Sequence, residues 1–201
     1  MPLVCIVEGD GEVRAVPVVV RRIASEVLHR DDIRVDTIRV RRDKFLNRVE
    51  ERRRVFQLAA ARSGSSGGVL VLLDADDDCA AQVSAAVLKF ATEEIGHVRC
   101  RCVLAVREFE AWFLAAAHSL SGARNLATDL HPPENPEGVR DAKGWLAERR
   151  SPSRYAPTID QPAFAARFDL TQARGGAPSF DKFCRDVESL IALVSGADVQ
   201  V

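Results

Sequence analysis

The segment LVCIVEGDGE, Leu3 to Glu12, is the most indicative of the fold, because an apolar run leads directly into three carboxylates separated by glycines. An apolar run without polar alternation is typical of a strand that is covered on both faces, as in a parallel sheet. A second stretch, VLVLLDADDD from Val69 to Asp78, repeats the pattern. We therefore expect two buried strands that both end in acidic residues.

Strand-like and helix-like segments alternate over the first part of the chain. Predicted strands cover Leu3–Val7, Ile33–Val40, Val69–Leu73 and Val98–Val106. Predicted helices cover about Val13–Leu28, Lys44–Arg62 and Ala80–Ile95, and a fourth begins at Glu108. This order predicts an α/β fold, with a Rossmann-like, mostly parallel sheet of about four strands and helices on both faces.

The texture of the sequence changes after Gly122. Loop-like, proline-rich segments separate shorter helical patterns over about Val139–Arg150, Pro162–Ala173 and Ser179–Val194. We predict a metal-binding α/β domain over residues 1–122, and a helical C-terminal extension over residues 123–201 that packs on it.

The composition narrows the class of protein. The chain has 201 residues, is 47% hydrophobic and carries a formal net charge of −1. This balance argues against a purely electrostatic nucleic-acid binder, but it allows an enzyme whose acidic centre is offset by basic patches. No apolar stretch is long enough to span a bilayer, so we expect a cytoplasmic protein without a membrane partner. The five cysteines do not suggest a disulfide framework.

Acidic residues follow three of the predicted strands. They are Glu8, Asp10 and Glu12, then Asp74 and Asp76 to Asp78, then Glu108 and Glu110. Ligand sites in open α/β sheets form at the carboxyl ends of strands, so these groups are expected at one edge. Oxygen ligands of this density favour Mg²⁺ or Mn²⁺. The alternative for any single acid is that it only caps the following helix.

The glycines of the first loop do not form a nucleotide-binding motif. After Gly9 and Gly11, the third glycine of a dinucleotide fingerprint would fall at Arg14, and no Walker lysine follows.

An apolar strand ending in Glu-Gly, followed some 60 residues later by one ending in Asp-x-Asp, resembles the Toprim domain. VEGDGE with LLDADDD is most similar to its nuclease branch, in which a second acid follows the glutamate by four residues, as Glu12 does. The whole chain, including REFEAWFLAAAHSL, DAKGWL and SFDKFCRDV, resembles the bacterial Toprim-like family of domain of unknown function 4276.

The resemblance implies a metal-dependent nuclease that hydrolyses phosphodiesters of DNA or RNA. It makes Glu8, Asp74 and Asp76 catalytic residues and metal ligands. Further metal ligands are expected among Glu12, Asp78, Glu108 and Glu110. Relatives of this kind are often encoded beside AAA or ABC ATPases, which implies an ATPase partner and an anti-phage role. The sequence leaves open whether the chain forms a homo-oligomer.

Basic residues beside the acids are candidates for contact with the substrate. We expect this role for Arg41, Arg42, Arg107 and Lys143, whereas the arginines further along the second helix fit a solvated helix face. The single tyrosine, Tyr155, is expected outside the core of the Toprim-like domain, so a covalent link between tyrosine and DNA is not expected.

Two other functions stay open. One is a catalytically degenerate Toprim module that binds and regulates a partner ATPase. The other is a phosphatase similar to the haloacid dehalogenases, which also use a strand ending in Asp-x-Asp. That alternative is weaker, because those aspartates usually follow the first strand and Asp78 stands where a threonine or valine is usual.

Overall fold

A computed structural model describes residues 1–152 and 154–195 of the chain. Four strands form its sheet: β1 Pro2–Val7, β2 Arg34–Arg39, β3 Gly68–Asp74 and β4 Arg99–Ala105. All neighbouring strands are parallel, in the order β2-β1-β3-β4. The predicted α/β class and the parallel four-stranded sheet are therefore confirmed.

Nine α-helices surround and follow the sheet within the described residues. They are α1 Glu12–Arg22, α2 Arg42–Asn47, α3 Val49–Ser63, α4 Ala80–Ile95, α5 Ala111–Ala115, α6 Ala142–Glu148, α7 Pro157–Ala165, α8 Leu170–Gly176 and α9 Pro178–Ser195. A π-helical turn, Ile23–Val27, continues α1. Among the described residues, no helix combines the length and apolar character needed to cross a membrane.

The alternation of side chains along the strands divides the interior into two cores. Leu3, Cys5 and Val7 of β1 face α1 and the C-terminal helices, whereas Val4 and Ile6 face the opposite core. That second core is closed by α2, α3 and α4. Because successive side chains point to opposite faces, a strand buried on both sides must be apolar throughout, which explains the unbroken apolar run of β1.

The C-terminal helices contribute to the first core rather than standing apart from it. Trp112 of α5 lies 5.0 Å, between ring centroids, from both Phe180 and Phe183 of α9. Its indole N–H donates a hydrogen bond to Ser179 (2.8 Å). Helix α7 packs on α1, and α9 packs on β4. Residue 153 and residues 196–201 of the predicted extension lie outside the described residues.

The predicted single helix over Lys44–Arg62 is wrong, because the chain forms two helices with a break at Arg48. Arg48 has an extended backbone (φ −114°, ψ 106°), and its carbonyl accepts the first hydrogen bond of α3. The break lets Phe45 of α2 turn into the core, where its ring lies 5.6 Å from that of Phe56. Burial of an aromatic side chain outweighs one lost helical turn.

The predicted helix over Pro162–Ala173 is also two helices. Helix α7 ends at Ala165, and Asp169 begins α8 by accepting a hydrogen bond from the N–H of Gln172 (2.8 Å). An aspartate in this position satisfies a backbone donor that a new helix leaves without a partner. The helix predicted from Glu108 is short as well, since α5 spans only Ala111–Ala115.

Candidate functional site

The carboxyl edge of the sheet brings the first two acidic clusters together, as the parallel strands require. Val7 pairs with Leu72, so Glu8 is level with the end of β3, where Asp74 is the last residue. On the other side of β3, Asp74 pairs with Ala105 of β4. Adjacent strands lie about 4.8 Å apart, so the side chains at these strand ends are immediate neighbours.

Glu12 belongs to the first turn of α1 and folds back over the loop that precedes it. Its side chain is only 4% exposed, and its Oε2 accepts a hydrogen bond from the backbone N–H of Glu8 (3.2 Å). A Cβ added at Gly9 would lie 2.7 Å from Oε1 of Glu12. Gly9 is therefore needed for the close approach of this carboxylate. Burial raises the pKa of Glu12 to about 7.

Asp74 is partly buried beside Glu12. Its Oδ1 accepts a hydrogen bond from the backbone N–H of Phe109 (2.8 Å), which ties the end of β3 to the loop after β4. Burial raises the pKa of Asp74 well above its ordinary value, and the carboxylate of Glu12 raises it further, whereas Lys143 opposes the rise.

Glu8, which is partly buried, completes this group. Burial raises the pKa of Glu8, against the opposing effect of the Arg42 guanidinium. Its Oε2 atom is buried and has no hydrogen-bond partner among the described residues. A buried carboxylate oxygen without a partner costs free energy, so it marks a place where a ligand would be bound favourably.

The fourth strand end contributes Glu108 and Glu110, which meet Lys143 of α6. The Lys143 Nζ lies 3.4 Å from Glu108 Oε2 and 3.2 Å from Glu110 Oε2. Burial alone would lower the pKa of Lys143, but the carboxylates of Glu110, Asp74 and Glu108 raise it above its ordinary value. Lys143 therefore stays protonated, and its ammonium group stands beside the acidic group. We call Glu8, Glu12, Asp74, Glu108 and Glu110 the acidic centre.

Two residues that the sequence did not single out hold Glu110. The hydroxyl of Tyr155 and the amide nitrogen of Gln161 both donate hydrogen bonds to its Oε1, at 3.0 and 2.8 Å. Tyr155, from the segment outside the predicted core domain, therefore contacts the acidic centre. The proline-rich segment before α7 carries the tyrosine to the sheet edge because α7 docks on α1. The same contact with Glu110 raises the pKa of Tyr155, after burial as the larger cause.

Asp76 and Asp78 lie outside the buried acidic centre, in the turn after β3. Both are largely exposed, and Arg42 pairs with them, at 3.7 Å from Asp76 and 2.5 Å from Asp78. Arg42 also donates a hydrogen bond to the carbonyl of Asp74 (2.9 Å) and so stabilises the turn after β3. Arg41 is exposed and lies 3.5 Å from Asp43.

On the other side of Asp76, Arg107 forms an ion pair with Asp77 and donates a hydrogen bond to the Asp76 carbonyl. Arg140, from the loop before α6, lies 3.3 Å from the same Asp77. The sequence did not point to Arg140, because nothing local indicates that the loop at residue 140 returns to this edge.

The donor chemistry of the acidic centre fits a divalent metal. In the part of the chain that the structure describes, no three His, Cys, Asp or Glu side chains form a ready-made ligand set. Mg²⁺ does not require one, since it keeps several waters and is usually bound through one or two carboxylates together with substrate phosphates. Oε2 of Glu8 is buried without a hydrogen-bond partner among the described residues and is a suitable metal ligand, whereas Oε2 of Glu110 lies 3.2 Å from the Lys143 ammonium.

The parallel sheet with carboxylates at its carboxyl edge defines an α/β protein with an acidic cluster at the strand ends. The chain belongs to the family described as Domain of unknown function (DUF4276), whose model matches residues 7–188. Comparison with curated proteins and comparison with solved structures each found no match.

Proposed function

We propose that this chain is a Toprim-type phosphodiester hydrolase that depends on Mg²⁺ or Mn²⁺ and acts on DNA or RNA in the cytoplasm. The observation that carries the proposal is the gathering of Glu8, Glu12 and Asp74 at the carboxyl edge of the adjacent strands β1 and β3, where Glu12 is buried and the other two are partly buried. This burial raises the pKa of all three. Carboxylates are costly in such a place unless a cation joins them. One ammonium group, that of Lys143, does not offset the charge of the whole acidic centre.

A divalent cation at this edge would supply a water of lowered pKa and offset the charge on the phosphoryl group. Glu8 and Asp74 would hold it, because they stand at the ends of the central strands β1 and β3 and Oε2 of Glu8 has no other partner. The Lys143 ammonium stands beside these acids and would attract the phosphodiester to them. Asp76 would take part after release from Arg42 of α2, since Asp76 lies in an exposed turn and the two charged groups are 3.7 Å apart.

The ATPase partner and the anti-phage role implied by the resemblance are part of the same proposal. A second candidate is a regulatory Toprim module without catalysis. The pairing of Lys143 with Glu108 and Glu110 favours it, because a lysine already neutralises part of the acidic centre.

Nicking of supercoiled plasmid by the purified protein in Mg²⁺ and in Mn²⁺ tests the proposal. Glu8→Gln and Asp74→Asn should each lower the rate at least about a hundredfold, the scale expected when a ligand of a catalytic metal is lost. Glu93→Gln, which changes an exposed glutamate of α4, is the matched control. Equal nicking by all variants would contradict the site assignment. If neither supercoiled plasmid nor single-stranded RNA is cleaved in the presence of metal, the result would favour the regulatory module.

A further inference from the structure

The strand order places basic residues on both sides of the acidic centre. The order β2-β1-β3-β4 sets Arg39 and Arg41 at the end of β2 on one side and Arg107 at the end of β4 on the other. The acids Glu8 and Asp74 stand between them, at the ends of β1 and β3. Basic residues therefore stand at both outer strands with Glu8 and Asp74 between them, while the end of β4 also contributes Glu108 and Glu110.

Each basic flank lines its own polar cavity, and the two cavities meet at Asp76. The first has a volume of about 360 Å³ and is lined by Glu8, Asp76 and the segment 39–43. The second has a volume of about 100 Å³ and is lined by Asp76, Asp77, Glu108 and the two arginines Arg107 and Arg140. Asp76 lines both cavities and lies in the turn after β3, where its backbone is left-handed (φ 50°).

One arginine of each cavity is available to an anion. The side chains of Arg41 and Arg140 are 66% and 73% exposed, and their carboxylate partners Asp43 and Asp77 are exposed to a similar degree. Exposed ion pairs of this kind contribute only about 0–1 kcal/mol. A backbone phosphate can therefore displace the aspartates, since guanidinium groups bind phosphate oxygens through two parallel hydrogen bonds.

From this arrangement we infer that a single polynucleotide strand crosses the sheet edge, with one phosphate group in the cavity of Arg41 and another in the cavity of Arg140. This inference rests on the proposed function and names its substrate as a strand with several phosphates rather than a small phosphodiester. From β2 to β4 the sheet edge spans about 14 Å, three inter-strand spacings of roughly 4.8 Å. At about 3.4 Å per nucleotide of a stacked strand, this corresponds to about four phosphates.

Binding of fluorescein-labelled single-stranded DNA and RNA of twelve nucleotides, followed by anisotropy in Ca²⁺, tests the inference without requiring cleavage. Arg41→Ala and Arg140→Ala should each raise the Kd about fivefold, and each should reduce the slope of log Kd against log salt by about 0.7. Arg54→Ala is the matched control, because Arg54 is 71% exposed and pairs with Glu51 on α3, outside both cavities. A dinucleotide competitor should bind far more weakly than a hexanucleotide.

Separate measurements with DNA and with RNA show which of the two polynucleotides is bound. Binding of either one supports the inference. An effect of only one of the two arginines would overturn the two-sided path. So would equal effects of all three variants, or no binding of either strand to the unaltered protein. Because binding and nicking are measured separately, loss of nicking with retained arginine-dependent binding would contradict the proposed hydrolase and leave the strand path supported.

Discussion

The Nζ atom of Lys143 lies 3.2 Å from Oε2 of Glu110, a carboxylate whose side chain has no exposed surface. The two residues are 33 positions apart and meet because α6 returns to the carboxyl edge of the sheet. This ion pair joins the C-terminal helices to the acidic centre. The helical portion therefore contributes a cation to the site as well as covering one face of the sheet.

Removal of that cation should destabilise the protein. Lys143→Met leaves the buried Glu110 without its charged partner, and we expect the free energy of unfolding at pH 7 to fall by about 2 kcal/mol. This value lies below the 3–5 kcal/mol typical of a fully buried pair, because Lys143 is half-exposed. Urea unfolding measures the change. Lys89→Met, at an exposed lysine of α4, is the control and should shift the midpoint little; equal effects of both variants would contradict the role of the pair.

The pKa of Glu12 makes stability depend on pH in a defined direction. Its pKa is about 7 in the folded protein and about 4.3 in an unfolded chain. Between these values the folded state binds more protons, so stability falls as the pH rises from about 4 to 7. Burial of Glu12 therefore costs free energy above neutral pH and nothing below about pH 4.

Glu12→Gln should remove this dependence. The variant keeps a side-chain oxygen that can accept the hydrogen bond from the Glu8 N–H, but it cannot ionise. We expect it to be more stable than the unaltered protein by about 1–3 kcal/mol at pH 8 and equally stable near pH 4.5. Urea unfolding in EDTA at several pH values measures the difference. Glu93→Gln should show no pH-dependent difference, and a gap for Glu12→Gln that grew toward acid pH would refute the assignment.

Divalent metal should stabilise the protein through the acidic centre. A ligand that binds only the folded state stabilises it by mass action, and about 100 times its Kd of Mg²⁺ or Mn²⁺ should raise Tm by roughly 5 °C. We expect Glu8→Gln and Asp74→Asn to abolish the increment, whatever their Tm in EDTA. Scanning calorimetry with and without metal measures it. An increment retained by both variants would place the metal elsewhere.

Gly11 is required by the docking of α7. A Cβ there would lie 2.7 Å from the backbone carbonyl oxygen of Pro157 and would also overlap Oε1 of Gln161. Gly11 has an ordinary helical backbone (φ −69°), so the conflict is steric alone. Gly11→Ala should lower the free energy of unfolding by about 1–3 kcal/mol and displace Gln161 from Glu110.

The control for Gly11 is Gly175 in α8, where an added Cβ would meet nothing within 4 Å. Gly175→Ala should leave stability unchanged or raise it slightly. In the double variant Gly11→Ala/Gln161→Ala only part of the loss should be recovered, because the carbonyl of Pro157 cannot rotate away as a side chain can. Full recovery would show that Gln161 is the only obstacle.

The pattern of consecutive residues predicts the sheet and its acidic edge. The apolar runs of β1 and β3 can only be buried on both faces, and parallel connection then puts Glu8 and Asp74 at one edge whatever the details of the loops. Trp112 and Phe113, which stand in an apolar segment, are also buried.

Which charged groups belong to the acidic centre depends on tertiary contacts that the sequence pattern does not predict. Sequence reasoning treated Asp76 as equal to Asp74, but one residue beyond the strand end the chain turns outward, and Arg42 holds Asp76 in solvent. Tyr155, Gln161 and Arg140 reach the edge through contacts between segments distant in the chain. Such contacts depend on how whole helices dock, and the periodicity of a short segment does not predict docking. A buried strand, in contrast, is recognised from the apolar character of consecutive residues.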